Sequence, residues 1–197
     1  MIVITNPIAI SNEINTIHAL FECGLELLHV RKPDFSEEDM ELFLSKIKLE
    51  YRSQLVLHQQ HQLAQDFGIK RIHFTENARA TLDLESTNSR DDFVQSTSTH
   101  TMADFNKVDH CFEYAFLSPI HQSISKPEYK SDLDAEKAIA ERTNFKTKLV
   151  ALGGISTQNI EKTFQLGFDD VALLGSIWNT NQPIQNFKLC QKIAHLY

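Results

Sequence analysis

Eight short apolar segments alternate with helix-like segments along this 197-residue chain, and the alternation predicts an α/β fold whose parallel strands close into a TIM (β/α)8 barrel. A glycine stands between predicted helix and predicted strand at Gly24, Gly68 and Gly167, so one junction recurs in three repeats. The length suits one domain, and we expect a single compact domain over residues 1–197. The predicted strands cover residues 2–5, 25–31, 54–58, 69–74, 93–98, 114–117, 148–152 and 170–174.

Between the strands, apolar residues recur at the spacing of amphipathic helices. Ser36 and the three acidic residues after it are typical of an N-cap with an acidic first turn. The polar segment 75–92 is compatible with an irregular loop in place of a regular helix. A doubly wound sheet is the competing architecture. The predicted helices cover residues 13–23, 36–51, 60–67, 102–108, 133–142 and 157–166.

Composition excludes several classes of protein. The formal net charge of -7 disfavours nucleic acid as a partner, because binding it needs a basic surface. No apolar run approaches the roughly 18 residues of a membrane span, and the first residues contain no basic leader, so we expect a cytoplasmic protein without membrane contact. Cys23, Cys111 and Cys190 form no Cys-x-x-Cys pair. We expect them to be buried apolar residues and not disulfide partners or zinc ligands.

The ends of the last two predicted strands carry the pattern of a phosphate site. Gly153 and Gly154 follow one strand, Gly175 and Ser176 follow the next, and a helix start comes after each pair. Small residues there leave backbone N–H groups uncovered at a helix N-terminus, where the peptide dipoles attract an anion. In TIM barrels the loops after strands seven and eight frequently bind phosphate. We therefore predict that these four residues bind phosphate.

Polar residues at the ends of other strands predict the rest of an active site, since barrel enzymes place their active sites at the carboxyl ends of the strands. His58 and Ser98 are predicted to bind substrate, as are Arg31 and Lys32. Period-2 alternation puts Arg31 on the same face as His29 and Lys32 on the opposite face, so Arg31 is the better candidate to point inward. An Arg31 side chain that points inward would need an anionic partner. The alternative is that Arg31 and Lys32 form a solvated basic pair at the strand end.

The loop after the sixth strand and the histidines complete the candidate residues. Ser123, Ser125 and Lys126 supply two hydroxyls and an ammonium, which suit phosphate or pyrophosphate oxygens. We predict substrate contacts for both serines and a catalytic role for Lys126. Five of the nine histidines fall at or near one rim, where they serve as catalytic groups or fill the barrel and hydrogen-bond to one another. These are His29, His58, His73, His100 and His121.

Six motifs at successive strand ends resemble those of the thiamine phosphate synthase and TenI family. They are Val-Arg-Lys (30–32), Ser-Thr-His-Thr (98–101), Leu-Ser-Pro-Ile (117–120), Ser-Ile-Ser-Lys-Pro (123–127), Ala-Leu-Gly-Gly-Ile (151–155) with Asn159, and Val-Ala-Leu-Leu (171–174). The resemblance spans nearly the whole chain. It implies a homodimeric TIM barrel of thiamine biosynthesis that binds a small-molecule thiazole phosphate against the two glycine turns.

For a thiamine phosphate synthase, the resemblance implies that hydroxymethylpyrimidine pyrophosphate is joined to thiazole phosphate, with Mg²⁺ held by two aspartates. Both carboxylates are missing at the matching positions: residues 58–60 are His-Gln-Gln where the family has Asn-Asp-Arg, and Ala78 replaces the second aspartate. Mg²⁺ prefers carboxylate and phosphate oxygens, and glutamine is a poor replacement. Glu76 would substitute only with a shifted loop. Pro33 takes the place of the family's lysine, because Arg31 and Lys32 are adjacent.

The TenI branch instead aromatises a thiazole carboxylate phosphate tautomer by moving a proton, with no metal. The resemblance makes His100 the acid–base group, and an ordinary histidine pKa of about 6.5 suits that role. Loss of both aspartates with retention of His100 favours a tautomerase that needs no cofactor. The alternatives are a synthase with a remodelled Mg²⁺ site and a non-catalytic binder of thiazole or thiamine phosphate.

A transition-metal site at the rim is a further alternative. The histidines would be His58, His61 and His73. The sequence does not favour it, because His58 and His61 fall at a strand-to-helix junction where a shared direction is not assured. We therefore expect no metal ligands.

Overall fold

The computed structural model describes residues 1–82, 93–122 and 134–197. Its strands close into one barrel in sequence order, each parallel to its neighbours, with the last strand paired to the first. The predicted (β/α)8 barrel is confirmed. The strands are β1 (Ile2–Ile4), β2 (Leu27–Val30), β3 (Leu55–Leu57), β4 (Arg71–Phe74), β5 (Val94–Thr99), β6 (Phe112–Leu117), β7 (Lys148–Leu152) and β8 (Asp170–Leu173).

Helices follow the strands around the outside of the barrel. The predicted helix 36–51 is interrupted: hydrogen bonds from Lys46 N to Phe43 O and from Ile47 N to Leu44 O tighten its last turn, and a short 3-10 helix, Leu49–Gln54, follows. The helices are α1 (Glu13–Glu22), α2 (Glu37–Ser45), α3 (Leu63–Asp66), α4 (Glu76–Ala80), α5 (Met102–Phe105), α6 (Ala135–Ala140), α7 (Ile160–Gln165), α8 (Gly175–Trp178) and α9 (Pro183–Ala194).

Three of these helices lie outside the predicted ones. Thr75 caps α4 by accepting from Ala78 N, so the segment that begins at residue 75 opens with a helix. The C-terminal α9 starts at Pro183 and packs Phe187 and Cys190 into the core. The short α8 follows β8 directly, and its N-terminal residues lie at the predicted phosphate site.

The apolar core has two parts because strand residues alternate between the lumen and the helix layer. The larger part fills the space between strands and helices. The smaller part lies in the lumen, where Ile2, Ile4, Val150 and Ala172 pack with Tyr114 and Phe116. On β2, β4 and β5 the lumen also holds polar side chains, namely His29, His73, Ser96 and Ser98, so one side of the lumen is rich in hydrogen-bonding groups. That polar side lies beneath the candidate site.

The helices and the cysteines bear on the expectations about membrane spans and cysteine burial. No helix in the described ranges is long and apolar enough to cross a membrane. All three cysteines are free. Cys190 is buried, Cys23 is half-buried and Cys111 is exposed. The expectation of burial is wrong for Cys111, because it lies in the turn before β6, where Asp109 accepts from its backbone N–H.

Candidate active site

A cavity of about 360 Å³ opens at the carboxyl ends of the strands. Its size falls in the range of small-molecule sites, and its position is that of barrel active sites. Seven of the predicted catalytic, substrate-binding and phosphate-binding residues line it, and so does the rim histidine His73. The seven are Arg31, His58, Ser98, His100, Gly153, Gly154 and Gly175.

Lys32 is not part of this cavity. Its side chain is fully buried, with Nζ 2.6 Å from a carboxylate oxygen of Glu13 and donating to Ile8 O at 3.0 Å. Strand alternation turns Lys32 away from the lumen and towards Phe35 and Phe43. The placement does not support the predicted substrate contact, because the ammonium is already neutralised in the layer between strands and helices.

The loop residues Ser123, Ser125 and Lys126 lie outside the described residues, and so does most of the loop that follows β6. His121, the last rim histidine, is placed away from the cavity lining. Its Nε2 lies 2.9 Å from the Thr163 hydroxyl on α7. It therefore ties the start of that loop to the helix layer.

The glycine turn after β7 has a backbone that only glycine adopts without strain. The φ angles are +104° at Gly153 and +64° at Gly154. A Cβ at Gly153 would lie 2.9 Å from Pro119 Cα, and a Cβ at Gly154 would collide with the backbone oxygen of Gln122. The turn thus packs directly against the chain that leaves β6, which holds it at the cavity wall.

This turn and the start of α8 present unused donors on the same side of the cavity. Within the described residues, the backbone N–H groups of Gly153, Gly154, Gly175 and Ser176 donate no hydrogen bond. The Ser176 hydroxyl has no partner there either, but it is buried and is not among the residues that line the cavity. Buried donors without partners are costly, so this arrangement favours an acceptor-rich ligand such as phosphate.

His100 lies at the cavity rim, just after β5, with a half-exposed ring. Its Nδ1 lies 2.8 Å from the backbone oxygen of Ser118, which only accepts, so Nδ1 carries the proton and donates. In the neutral ring Nε2 is then a free base. It lies 4.0 Å from Glu76, a carboxylate in the first turn of α4.

Glu76, which the sequence suggested only as a replacement Mg²⁺ ligand, lines the cavity, and Arg79 beside it was not predicted. Arg79 donates to Ser98 O at 3.2 Å and lies 3.9 Å from Glu76. The sequence signal for their position is Thr75, a residue type that often caps helices and that here caps the short helix α4. α4 thus fixes the one carboxylate among the described lining residues between a guanidinium and an imidazole.

Arg31 reaches the cavity from the end of β2, as alternation predicted. Its backbone N–H donates to the Thr5 hydroxyl at 2.9 Å, which fixes the strand end. Its guanidinium makes no ion pair in the described part of the chain and lines the cavity. An unpaired guanidinium at a cavity wall suits an anionic group of a ligand.

Three histidines occupy the polar side of the lumen below the cavity. His29 Nδ1 lies 2.8 Å from His58 Nε2, and His29 Nε2 lies 2.7 Å from the Tyr114 hydroxyl. His73 lies between two serine hydroxyls, 2.9 Å from Ser96 and 2.8 Å from Ser98.

These imidazoles are neutral because they are removed from water. Burial is the main cause that lowers the pKa of all three, with repulsion from nearby cationic groups as the second cause. For His73 the pKa falls to about 3. His29, His58 and His73 each offer a ring nitrogen within 4.8 Å of the others. His61, the remaining histidine of the metal site that the sequence did not favour, packs edge-on against Phe74.

Comparison with known proteins identifies the family of this chain. A family model described as thiamine monophosphate synthase matches residues 1–177. The chain belongs to the thiamine monophosphate synthase family. It is 30% identical to a thiamine phosphate pyrophosphorylase from Bacteroides thetaiotaomicron, with a TM-score of 0.78 over 100% of this chain and 98% of that one.

More distant structures share the fold of this family member. A thiamine phosphate pyrophosphorylase from Pyrococcus furiosus is 12% identical, with a TM-score of 0.79 over 99% of this chain and 95% of that one. A 3-hexulose-6-phosphate synthase from Salmonella typhimurium is 14% identical, with a TM-score of 0.72 over 100% and 99%. None of the curated proteins matches the chain.

Proposed function

We propose that this family member is a TenI-type tautomerase that moves a proton on a thiazole carboxylate phosphate without a metal. The observation that carries the proposal is the His100 ring, whose Nδ1 is held by Ser118 O while Nε2 is left as a base at the cavity rim. A base with a fixed tautomer is what proton transfer from carbon requires.

The phosphate of the ligand would lie against the two turns that follow β7 and β8. The backbone N–H groups of Gly153, Gly154, Gly175 and Ser176 donate no hydrogen bond within the described residues and would donate to it. Arg31 would pair with the carboxylate of the thiazole. With its phosphate and its carboxylate both bound, the ligand would have its ring between the glycine turns and His100, where the proton has to move.

The described residues do not fit a Mg²⁺ site of the kind the family pattern implies. Among the described lining residues Glu76 is the one carboxylate, and Arg79 and His100 already flank it. The positions of the missing aspartates carry Gln59 and Ala78. The remaining polar lining includes the imidazoles of His58, His73 and His100 and the guanidinium of Arg31, and none of these is a good ligand for this hard cation.

A thiamine phosphate synthase is the second candidate, and one observation favours it. The Bacteroides thetaiotaomicron protein that is 30% identical over nearly its full length carries the name thiamine phosphate pyrophosphorylase. In that case Lys126 with Ser123 and Ser125 would hold the pyrophosphate, and catalysis would depend on added Mg²⁺. A non-catalytic binder of thiazole or thiamine phosphate would show neither activity.

Two parallel assays separate these functions. One holds the thiazole carboxylate phosphate tautomer alone with EDTA, and the other holds thiazole phosphate, hydroxymethylpyrimidine pyrophosphate and Mg²⁺, with each substrate followed by NMR. We expect consumption in the first. Consumption only in the second, and its loss with EDTA, would identify a synthase.

His100 variants test the assigned base. His100→Gln should lower kcat of the tautomerase by about 100-fold, in the range of general acid–base catalysis, and leave ligand affinity within about twofold. His110→Gln is the matched control, because His110 is an exposed histidine before β6 at the other end of the barrel. A binder would keep its affinity in both variants and have no rate to lose.

The remaining proposals concern partners and location. We propose a cytoplasmic homodimer whose partner molecule is the thiazole phosphate, with no nucleic acid or membrane contact. Light scattering on a size-exclusion column measures the oligomeric state. A single species of monomer mass across micromolar concentrations would contradict the dimer.

A further inference from the structure

Two separate hydrogen-bonded chains lie in the polar part of the lumen below the cavity. One joins Tyr114, His29 and His58, with the Tyr114 hydroxyl 2.7 Å from His29 Nε2 and His29 Nδ1 2.8 Å from His58 Nε2. The other joins His73 to two serine hydroxyls of β5. Within the part of the chain that the structure describes, His29 and His73 use both ring nitrogens, whereas His58 uses only Nε2. Because the His58 ring lines the cavity, its Nδ1 is the lumen imidazole nitrogen that is available to a ligand.

The phenol at the buried end of the first chain sets the direction of its hydrogen bonds. Tyr114 is almost fully buried, and burial raises the pKa of its hydroxyl, so this group keeps its proton. Its hydrogen-bond partner among the described residues is His29 Nε2. A buried hydroxyl donates where it has an acceptor, so the phenol donates to His29.

Each neutral imidazole carries one N–H, and this passes the direction of the phenol on to His58. His29 accepts at Nε2, so its proton lies on Nδ1 and is donated to His58 Nε2. His58 accepts at Nε2, so its own proton lies on Nδ1. Burial lowers the pKa of both imidazoles well below the usual range, so neither binds the second proton that would undo this order. The lumen thus presents a neutral N–H donor at the cavity.

We propose that His58 donates from Nδ1 to an uncharged acceptor of the ligand, the ring nitrogen of a thiazole, and that Tyr114 and His29 are positioning residues that fix this tautomer. The contact rests on the proposed function, because thiazole phosphate is taken as the ligand. It recognises the ring, whereas the glycine turns and Arg31 are proposed for the two anionic groups. A ligand atom that itself carries a proton would be rejected at this position.

The surroundings of His58 suit an uncharged group. His73 stacks on it with ring centroids 4.2 Å apart, and burial lowers the pKa of His73 to about 3, so that ring is neutral. His29 packs edge-on against it at 5.0 Å and is neutral as well. An ion placed here would meet no opposite charge on these rings, and burying an unpaired charge is costly.

A donor at the ring nitrogen would also assist the proposed proton transfer. When His100 Nε2 takes a proton from a ring carbon, the electron pair of the broken C–H bond moves into the ring and negative charge develops on the nitrogen. The hydrogen bond from His58 strengthens as this charge develops, so it stabilises the transition state more than the bound substrate. His58 keeps its proton throughout, and His100 returns the abstracted proton to another carbon.

A metal ion on the three histidines is the competing use of the same groups, and ring geometry disfavours it. The His58 and His73 rings are stacked, with planes 26° from parallel. Nitrogen lone pairs lie in the ring plane, so stacked rings do not converge on one ion. Both His73 nitrogens also lie at hydrogen-bond distance from serine hydroxyls.

The first test needs no ligand. ¹⁵N-histidine NMR at pH 7 should show His58 neutral, with its proton on Nδ1. Tyr114→Phe removes the donor to His29 and should raise the share of the His58 tautomer that carries its proton on Nε2. Thr99→Val is the matched control, because it removes a buried β5 hydroxyl that donates to Phe116 O outside both chains, and should leave the His58 signals unchanged. A wild-type His58 with its proton on Nε2, or an unchanged ratio in Tyr114→Phe, would overturn the proposal.

The second test compares two ligands by calorimetry: thiazole phosphate and its thiophene isostere, in which a C–H group replaces the ring nitrogen. The wild type should bind the thiazole at least about 10-fold more tightly, because the isostere leaves the His58 N–H without an acceptor. Tyr114→Phe should reduce this preference to about threefold or less and bind the isostere within about twofold of the wild type. Thr99→Val should keep the full preference. Equal weakening of both ligands in Tyr114→Phe would show a merely structural role for Tyr114 and overturn its positioning role.

His58→Phe covers the case in which Tyr114→Phe does not fold. It removes the same donor at a half-buried position beside the cavity, and it should abolish the preference for the thiazole. A preference that persists in His58→Phe would refute the His58 contact.

These results separate the His58 contact from the proposed function. Equal binding of both ligands by the wild type refutes the contact alone. A wild type that prefers thiazole phosphate but consumes no tautomer refutes the proposed function and leaves the contact in place, whereas binding of neither ligand refutes both. One equivalent of zinc or nickel in the purified protein that His29→Gln abolishes would identify a metal site in place of the hydrogen-bonded chain.

Discussion

The buried histidines make a quantitative prediction about acid stability. Burial lowers the pKa of His73 to about 3 from its ordinary 6.5. As the pH falls below 6.5, His73 binds a proton in the unfolded chain but stays neutral in the folded protein. The contribution of His73 to the free energy of unfolding, fully present above pH 6.5, is therefore lost progressively down to pH 3. For this group alone the loss between pH 8 and pH 5 is about 2 kcal/mol. His29 and His58 add to it in the same direction.

Urea denaturation at pH 8 and pH 5 measures this effect. The variant His73→Asn retains a side-chain hydrogen-bonding group for Ser96 but does not titrate, so its free energy of unfolding should fall on acidification by about 2 kcal/mol less than that of the wild type. His110→Asn is the control, because His110 is exposed and should reproduce the wild-type loss. A wild-type stability that is flat between these pH values, or an equal loss in His73→Asn, would refute the assignment of buried neutral imidazoles.

Two further predictions concern the glycine turn after β7 and the buried Lys32–Glu13 ion pair. Gly154→Ala should raise the Kd for thiazole phosphate, measured by calorimetry, at least about 10-fold, because the added Cβ collides with backbone atoms. Gly68→Ala is the control: its φ of +68° gives the same conformational strain of about 1 kcal/mol, but its Cβ meets open space, so the affinity should not change. Equal affinities of the two variants would show that the glycine turn is not a ligand site. Lys32→Met should destabilise the fold by about 3–5 kcal/mol by leaving Glu13 unpaired, and adding Glu13→Gln should restore part of that stability, without a change of KM in either variant. A raised KM in a stably folded Lys32→Met would instead return Lys32 to the substrate site.

The fold could be predicted from the alternation of strand-like and helix-like segments and from the glycines between them, because both patterns are local properties of a barrel repeat. Strand-length apolar runs separated by amphipathic segments predicted β1 to β8 in order, because parallel neighbours need helical crossovers. The pairing of β8 with β1 shows that the sheet is a closed barrel and not an open doubly wound sheet. Helix ends were less well determined. The break after Ser45 in α2 depends on two tightened hydrogen bonds and the burial of Ile47, which the helical periodicity of residues 36–51 does not reveal.

The candidate site was predictable where one residue and its strand end suffice. Gly153, Gly154 and Arg31 are examples: backbone freedom or period-2 alternation places each at the cavity. Lys32 differs because its partner, Glu13, lies on another element. Glu76 differs because its place in the cavity depends on a short helix that the polar composition of segment 75–92 obscured.

The sequence by itself determined the order of strands, the face that each residue takes and the small residues of the phosphate turns, since these follow from spacing along one segment. Only the tertiary structure decided which side chains meet. The lumen network of His29, His58, His73 and Tyr114 joins four strands. Its members come together only when the barrel closes, because closure fixes the register that puts residues distant in the chain at one level.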